Sequence, residues 1–273
     1  MAQQSVPQGT WDEDPDGASI LLATGRARHD LLVIAEPAFL RDLDQAWGRP
    51  SARVRLSFLP GVHAPSAPGQ EDALMSYERG GLGVLVARGR TSLYEGESVR
   101  STTALARIAS GARLRAALLV TRATPLRGSG DVAGGSAPGQ VRVVADHLNV
   151  SGGSLFPAPG MVSAGWDATL TERLGSLRGV SGSSVVALVP GPLRPSPAES
   201  RALTSLGADA AVTDSVAEAM VLASRGVAVS ALTYLDAPAA GGNLGRAQLS
   251  LRQASGVTLA AVEEILRSLR AGS

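Results

Sequence analysis

Leu31-Leu32-Val33-Ile34-Ala35 is the stretch on which the fold turns. Five apolar residues in unbroken succession, held between polar neighbours, are short for a buried helix and fit a strand covered on both faces. On its N-terminal side a helix is expected around Ile20 to Ala27. On its C-terminal side Phe39, Leu40, Leu43 and Trp47 recur at helical spacing. Further on, Val54-Arg55-Leu56-Ser57-Phe58 alternates as a half-buried strand would, and Gly83 to Ala87 is a second buried run. Ser98 to Ala109 reads as a helix, and Arg115 to Thr121 and Val141 to Ala145 as strands. Between those two strands the Gly/Ser-rich stretch from Leu126 to Pro138 can only be a loop. The rest alternates: helix Asp167 to Leu177, strand Val185 to Val189, helix Pro197 to Leu206, strand Ala208 to Val212, helix Ser215 to Ser224, strand Val227 to Leu232, and a closing amphipathic helix Leu259 to Leu269. Strands alternating with helices imply a single α/β domain, a central mixed sheet flanked by helices on both faces. No repeat or internal break divides it. Residues 1–17, polar and acidic, are expected to form a flexible arm, and residues 18–273 the domain.

Composition narrows the function classes. Of 273 residues 44% are apolar and 18% charged, an ordinary globular balance. A formal charge of +1 gives no electrostatic reason to expect nucleic acid or an anionic membrane as partner. All 25 basic residues are arginine. The absence of cysteine excludes disulfides, thiolate metal sites and thiol nucleophiles. Met1 to Asp16 lacks the apolar core of a signal peptide, and no apolar run approaches the ~18 residues of a membrane span. A cytoplasmic protein is expected. His29, His63 and His147 lack metal-ligand spacing, so no metal site is expected. Gly128-Ser129-Gly130 is not followed by the helix and third glycine of a dinucleotide fingerprint, and Gly179 to Gly182 is one residue short of a nucleophile elbow. Asn149-Val150-Ser151 matches a glycosylation acceptor only by chance.

Three segments in order carry a more specific signal. They are Gly89-Arg90-Thr91-Ser92-Leu93-Tyr94-Glu95-Gly96, then Ala145-Asp146-His147-Leu148-Asn149-Val150-Ser151-Gly152, then the run from Gly191 to Ala211 containing Ala198-Glu199-Ser200-Arg201-Ala202-Leu203 and Leu206-Gly207-Ala208-Asp209-Ala210. Together they resemble the trimeric class of purine nucleoside and methylthioadenosine phosphorylases, over about Leu31 to Leu269. The resemblance implies a nucleoside phosphorylase-like α/β domain, usually a homotrimer. It also implies phosphorolysis, in which inorganic phosphate, the family's co-substrate, displaces the purine from a nucleoside; no other cofactor is implied.

Carried over residue by residue, the resemblance gives a mixed inheritance. Arg90 matches the phosphate-binding arginine and Tyr94 the tyrosine facing the sugar. Ala123 matches a second phosphate-binding position and is the one residue kept from its strand end, where Arg122 is new. The family's glycine-rich phosphate turn after the first strand reads Ala35-Glu36-Pro37-Ala38 here, with Glu36 where an anion should sit. Ser92 replaces a histidine, Arg194-Pro195-Ser196 replaces the purine-anchoring segment and its glutamate, and Asp214 replaces a phosphate-binding serine. The base-contacting asparagine falls at Leu235 or Asp236, the late histidine near Leu249 or Ser250, and Phe156 is a candidate for an aromatic reaching a neighbouring subunit. Asp146, His147, Asn149, Glu199, Arg201, Asp209 and Trp166 are read as supporting the fold.

The chemistry of those replacements sets the functional expectation. A carboxylate about 4 Å from a phosphate charge, at an effective dielectric near 20, repels it by roughly 4 kcal/mol per unit charge. Losing one preorganised donor to a developing anion costs about 3–4 kcal/mol. Phosphorolysis by this chain is therefore expected to be weak or absent. The new acids Glu36 and Asp214 and the new bases Arg122 and Arg194 either pair with one another and with Arg90, filling the ancestral cavity, or face solvent as surface charges. Three roles stay open: a pseudoenzyme paralogue that joins an intact phosphorylase, an active phosphorylase of altered substrate, or a binding module for a purine nucleoside.

Overall fold

A computed structural model describes residues 14–126, 137–152, 164–191, 194–236 and 244–272, with backbone alone for residues 244–249. The Leu31 run is β1 (Leu31–Ile34), with every side chain buried. It lies between β4 (Leu82–Ala87) and β5 (Ala116–Pro125), parallel to both. Because successive side chains point to opposite faces, Leu32 and Ile34 enter one core and Leu31 and Val33 the other. β4 and β5 divide in the same way, Leu85 and Leu119 to the first core and Val84 and Leu118 to the second. Continuous apolarity is thus the signature of a two-faced strand.

The sheet has nine strands in the order β2-β3-β4-β1-β5-β8-β7-β6-β9, and β9 returns to pair with β5. Here β2 is Ala52–Val54, β3 Leu74–Arg79, β6 Val141–Asn149, β7 Val180–Leu188, β8 Ala210–Val212 and β9 Ala228–Leu235. The β9–β5 pairing closes β5, β8, β7, β6 and β9 into a barrel-like ring, while β2 to β4 extend from β1 as an open flank. β6 carries two register shifts against β7, which bend it around the ring. The helices are α1 (Ala18–Thr24), α2 (Pro37–Trp47), α3 (Val99–Thr102), α4 (Ala104–Gly111), α5 (Ala168–Gly175), α6 (Pro197–Ser205), α7 (Val216–Ser224) and α8 (Leu244–Ala271). Apolar residues of α1, α4 and α7 join one core, and those of α2, α5 and α8 the other.

Several expectations need correction. Val54 to Phe58 is not a strand: β2 ends at Val54 and Leu56–Phe58 is a 3-10 turn with only Leu56 buried. Two residues' spacing between Leu56 and Phe58 serves a tight turn as well as a strand. β3 was not foreseen, since Leu74-Met75-Ser76-Tyr77-Glu78-Arg79 mixes apolar and charged residues, yet it pairs with β4 along its whole length. Of the expected arm, residues 1–13 lie outside the described part, while Asp14 to Gly17 are docked. The Asp14 carboxylate accepts the Ala18 and Ser19 amides at 2.9 Å, and Gly17 sits where a Cβ would come 2.6 Å from the Ala112 nitrogen. The expected loop after Leu126 lies, for residues 127–136, outside the described residues.

Candidate functional site

The C-terminal ends of parallel strands β1, β4, β5 and β9 open on one side of the sheet, where ligands of α/β proteins gather. They enclose a cavity of about 320 Å³. Its wall takes Glu36 from the end of β1, Arg90 from the segment after β4, and Arg122, Ala123 and Thr124 from β5. Thr213 and Asp214 come from the end of β8, and Asp236 from the end of β9.

Arg90 is fixed from within. Its Nη2 donates to the Ile34 carbonyl at 2.7 Å and the Val120 carbonyl at 3.1 Å, tying the end of β1 to the middle of β5. Its Nη1 donates to Asp214 Oδ1 at 3.1 Å and lies 3.6 Å from Glu218 Oε2. Asp214 also accepts the Thr121 hydroxyl. Burial works against the Arg90 charge, but Glu218 and Asp214 outweigh it and hold its pKa above the ordinary value. Glu218 is a residue that sequence reasoning missed: it is the one acid in an otherwise apolar α7 and is fully buried. Burial, against the pull of Arg90, raises its carboxyl from 4.5 to about 7, and Oε2 has no hydrogen-bond partner.

The second ionic chain runs along the wall. Glu36 precedes Pro37, which opens α2 at a position where a helix needs no amide hydrogen. Its carboxylate accepts Arg122 Nε at 3.0 and 2.8 Å, and Arg122 Nη1 donates to Asp236 Oδ1 at 3.0 Å. Arg122 also lies 5.3 Å from the Phe39 ring centre, and the Asp236 amide donates to the Ala123 carbonyl at 2.9 Å. Burial raises the Glu36 carboxyl above its usual range despite the nearby Arg122.

The rim is set by Glu95. It accepts the Ser92 amide at 2.7 Å and the Ser66 amide and hydroxyl at 2.7 Å, so it holds the segment 66–67 at the mouth of the cavity. Burial pushes its carboxyl up, but these hydrogen bonds prevail and keep it below the usual range. Ser92 caps the turn that carries Tyr94, a residue 44% exposed at the mouth. Gln70 completes the rim by accepting the Arg90 amide at 3.1 Å.

The structure thus brings together Glu36, Arg90, Ser92, Tyr94, Arg122, Ala123, Asp214 and Asp236. It separates two others. Arg194 is exposed and outside the wall of this cavity, and Pro195 lines a neighbouring groove with Val150, Glu199 and Leu203. The acids and Arg122 do pair, but as a lining: an open cavity remains, which corrects the expectation that the ion pairs fill it. Of the residues read as structural, Glu199 forms a capping box with Ser196, and Asp209 accepts the Val185 amide at 2.8 Å. Trp166 donates to His147 Nδ1 at 3.2 Å, and burial lowers the His147 pKa. Ser250 shares a 2.7 Å hydrogen bond with the Tyr234 hydroxyl, while Phe156 lies outside the described residues. Among the described residues no cluster of three or more His, Asp or Glu side chains could hold a metal ion, and no helix is long and apolar enough to cross a membrane.

No family model matches the chain. Among curated proteins it is similar to the purine nucleoside phosphorylase of Mycobacterium tuberculosis, with 31% identity over 242 residues, 86% of this chain and 87% of that protein. The corresponding enzyme of Mycobacterium leprae shares 31% over 222 residues, 80% of each chain. Among solved structures, isoform 2 of Schistosoma mansoni purine nucleoside phosphorylase, in complex with cytosine and ribose-1-phosphate, superposes with a TM-score of 0.76 at 18% identity, covering 94% of this chain and 96% of that one. The Schistosoma mansoni enzyme in complex with inosine gives 0.74 at 18% identity, covering 94% and 97%. The structural likeness establishes the fold, and sequence identity sustained across most of the chain establishes the descent: this protein belongs to the purine nucleoside phosphorylase family.

Proposed function

We propose that this chain is a purine nucleoside phosphorylase-family protein with weak or no phosphorolysis of its own. One observation carries the reading: the charge of both arginines on the cavity wall is already met by carboxylates of the chain itself, Asp214 on Arg90 and Glu36 on Arg122. Four acids, Glu36, Glu95, Asp214 and Asp236, face two bases, Arg90 and Arg122, so the wall is negative by two charges. Phosphorolysis needs orthophosphate held beside the anomeric carbon. A wall of that sign repels the anion that must attack.

The test is release of free base from inosine and guanosine by purified protein with orthophosphate. Turnover at least a hundredfold below the ~1 s⁻¹ at the low end of ordinary enzymes is expected. A Glu36→Ser variant, which removes one acid from the cavity wall, gains activity. Turnover by the unmodified chain in the ordinary range overturns the reading. The persistence of an open cavity supports a second reading, a nucleoside-binding module or partner subunit without turnover. Nucleoside then raises the melting temperature without releasing base. The family resemblance further supports a cytoplasmic homotrimer, or a hetero-oligomer with an intact paralogue.

A further inference from the structure

A second group of charges sits apart from the cavity, at the other end of α2. Glu36 adjoins the first residue of that helix and Trp47 is its last, about 16 Å further on for eleven residues. Around Trp47 opens a groove of about 240 Å³, whose wall is completed by Arg79 from the end of β3 and by Glu263, Leu266, Arg267 and Arg270 of α8. Positions 263, 266, 267 and 270 fall on one stripe of a helix, so α8 presents them together. Arg79 lies over the Trp47 ring, 4.8 Å from its centre, and its Nε is buried without a hydrogen-bond partner. Arg270 Nη2 donates to the Arg79 carbonyl at 3.1 Å. It lies against Gly80, where a Cβ would come 2.5 Å from the guanidinium.

The acids nearby are engaged elsewhere. Asp44, one turn before Trp47, holds Arg88 at 2.8 Å. Glu78, next to Arg79 but on the opposite face of β3, holds Arg26 at 3.0 Å. Arg267 is paired with Glu264 at 2.7 Å. Neither Arg79 nor Arg270 has a carboxylate partner among the described residues, and Glu263, though it lines the groove, pairs with neither. The lining therefore carries three positive charges against one negative. A basic residue in the last turn suits the helix dipole, which accounts for Arg270. It does not account for Arg79, which arrives from the sheet and brings its charge to the same groove. Two guanidinium groups on one groove repel each other, and an anion between them removes that cost.

We propose that this groove binds a small dianion of the phosphomonoester class, held by Arg79 and Arg270 with its carbon body against Trp47. The volume lies below the ~300 Å³ at which pockets for drug-sized molecules begin, so the guest is compact. A guanidinium fork suits two oxygens of one anion. Trp47 is only partly buried and offers apolar surface that an ester covers and free phosphate does not. The groove shares no lining residue with the cavity that holds Arg90, and the proposal stands whether or not the chain cleaves nucleosides.

Phenyl phosphate is the probe, used at about pH 8, where a phosphomonoester carries close to two charges. Calorimetry on the full-length protein at low salt is expected to give a Kd near or below about 1 mM. Arg270→Gln, at an exposed position, is expected to weaken binding about fivefold, and Arg79→Gln at least as much. Glu263→Gln, which removes the one acid of the lining, is expected to tighten binding about twofold. Orthophosphate is expected to bind more weakly than phenyl phosphate, and equal affinity overturns the assignment to an ester. No binding of phenyl phosphate at about 10 mM, or binding undiminished in Arg270→Gln, overturns the site itself. Should Arg79→Gln fail to fold, Arg270→Gln and Glu263→Gln, both at exposed positions, decide.

Discussion

Glu218 bears on stability through its buried carboxyl. Its carboxyl stands at about 7 in the folded chain against an ordinary 4.5, so the folded state holds the proton more tightly than the unfolded one. That contribution is full below about pH 4.5 and is lost as the pH rises through about 7, on the order of 3 kcal/mol for a shift of this size. Glu218→Gln removes the dependence, so denaturant curves of the variant are expected to vary less between about pH 5 and pH 8 than those of the wild type. An unchanged pH profile sinks this assignment. Arg122 poses the opposite case, one base serving two acids. Arg122→Ala leaves Glu36 buried without its partner and frees Asp236, and a loss of about 1–3 kcal/mol is expected by urea unfolding, between the exposed and buried limits because Arg122 is 34% exposed. No measurable loss would mean that water already satisfies Glu36. These partners lie 86 and 114 positions from Arg122, so only the family resemblance gathered them at the level of sequence. Glu218 had a local signal, a lone acid in the run Val216-Ala217-Glu218-Ala219-Met220-Val221-Leu222, but nothing in that run shows which base it faces.

The turn into α7 holds the most strained link in the site. Ser215 has φ 66°, outside the range a side chain favours, and the turn presents the Asp214 carboxylate to Arg90 and Thr121. Ser215→Gly relieves that backbone at a gain of about 1 kcal/mol, read from thermal melting at fixed pH. A loss instead would mean that the hydroxyl, which donates to the Asp214 carbonyl at 2.7 Å, matters more than the backbone. Elements buried on both faces were the easiest to read, because β1, β4 and the first half of β5, Ala116 to Val120, are buried and without polar side chains at every position. β3 was hidden because Glu78 lies exposed and Ser76 is buried against His29, a 3.1 Å contact that no periodicity shows. The open cavity was illegible for another reason: pairing can be guessed from charge, but the space left beside a pair depends on where the backbone puts both partners.

Taken as a whole, the molecule leaves Leu22, Phe58 and Leu206 well exposed, at 86%, 76% and 63%. Exposed singly on separate elements, such residues are ordinary on a protein surface and do not by themselves mark an interface. If the family's trimer is kept, sedimentation is expected near 83 kDa, three times 27.8 kDa, and a stable 27.8 kDa species refutes it. The closing pairing of β9 on β5 has a mechanical meaning. Arg122 lies within that pairing, opposite Tyr234, while the Arg90 clamp joins β1 to β5 at Ile34 and Val120. Hydrogen-bonded strands therefore run without a hinge from one wall of the binding region to the other. Opening it by swinging two lobes apart would tear the ladder, so among the described residues the parts free to separate around a guest are the rim segments that carry Ser66 to Gln70 and Ser92 to Glu95.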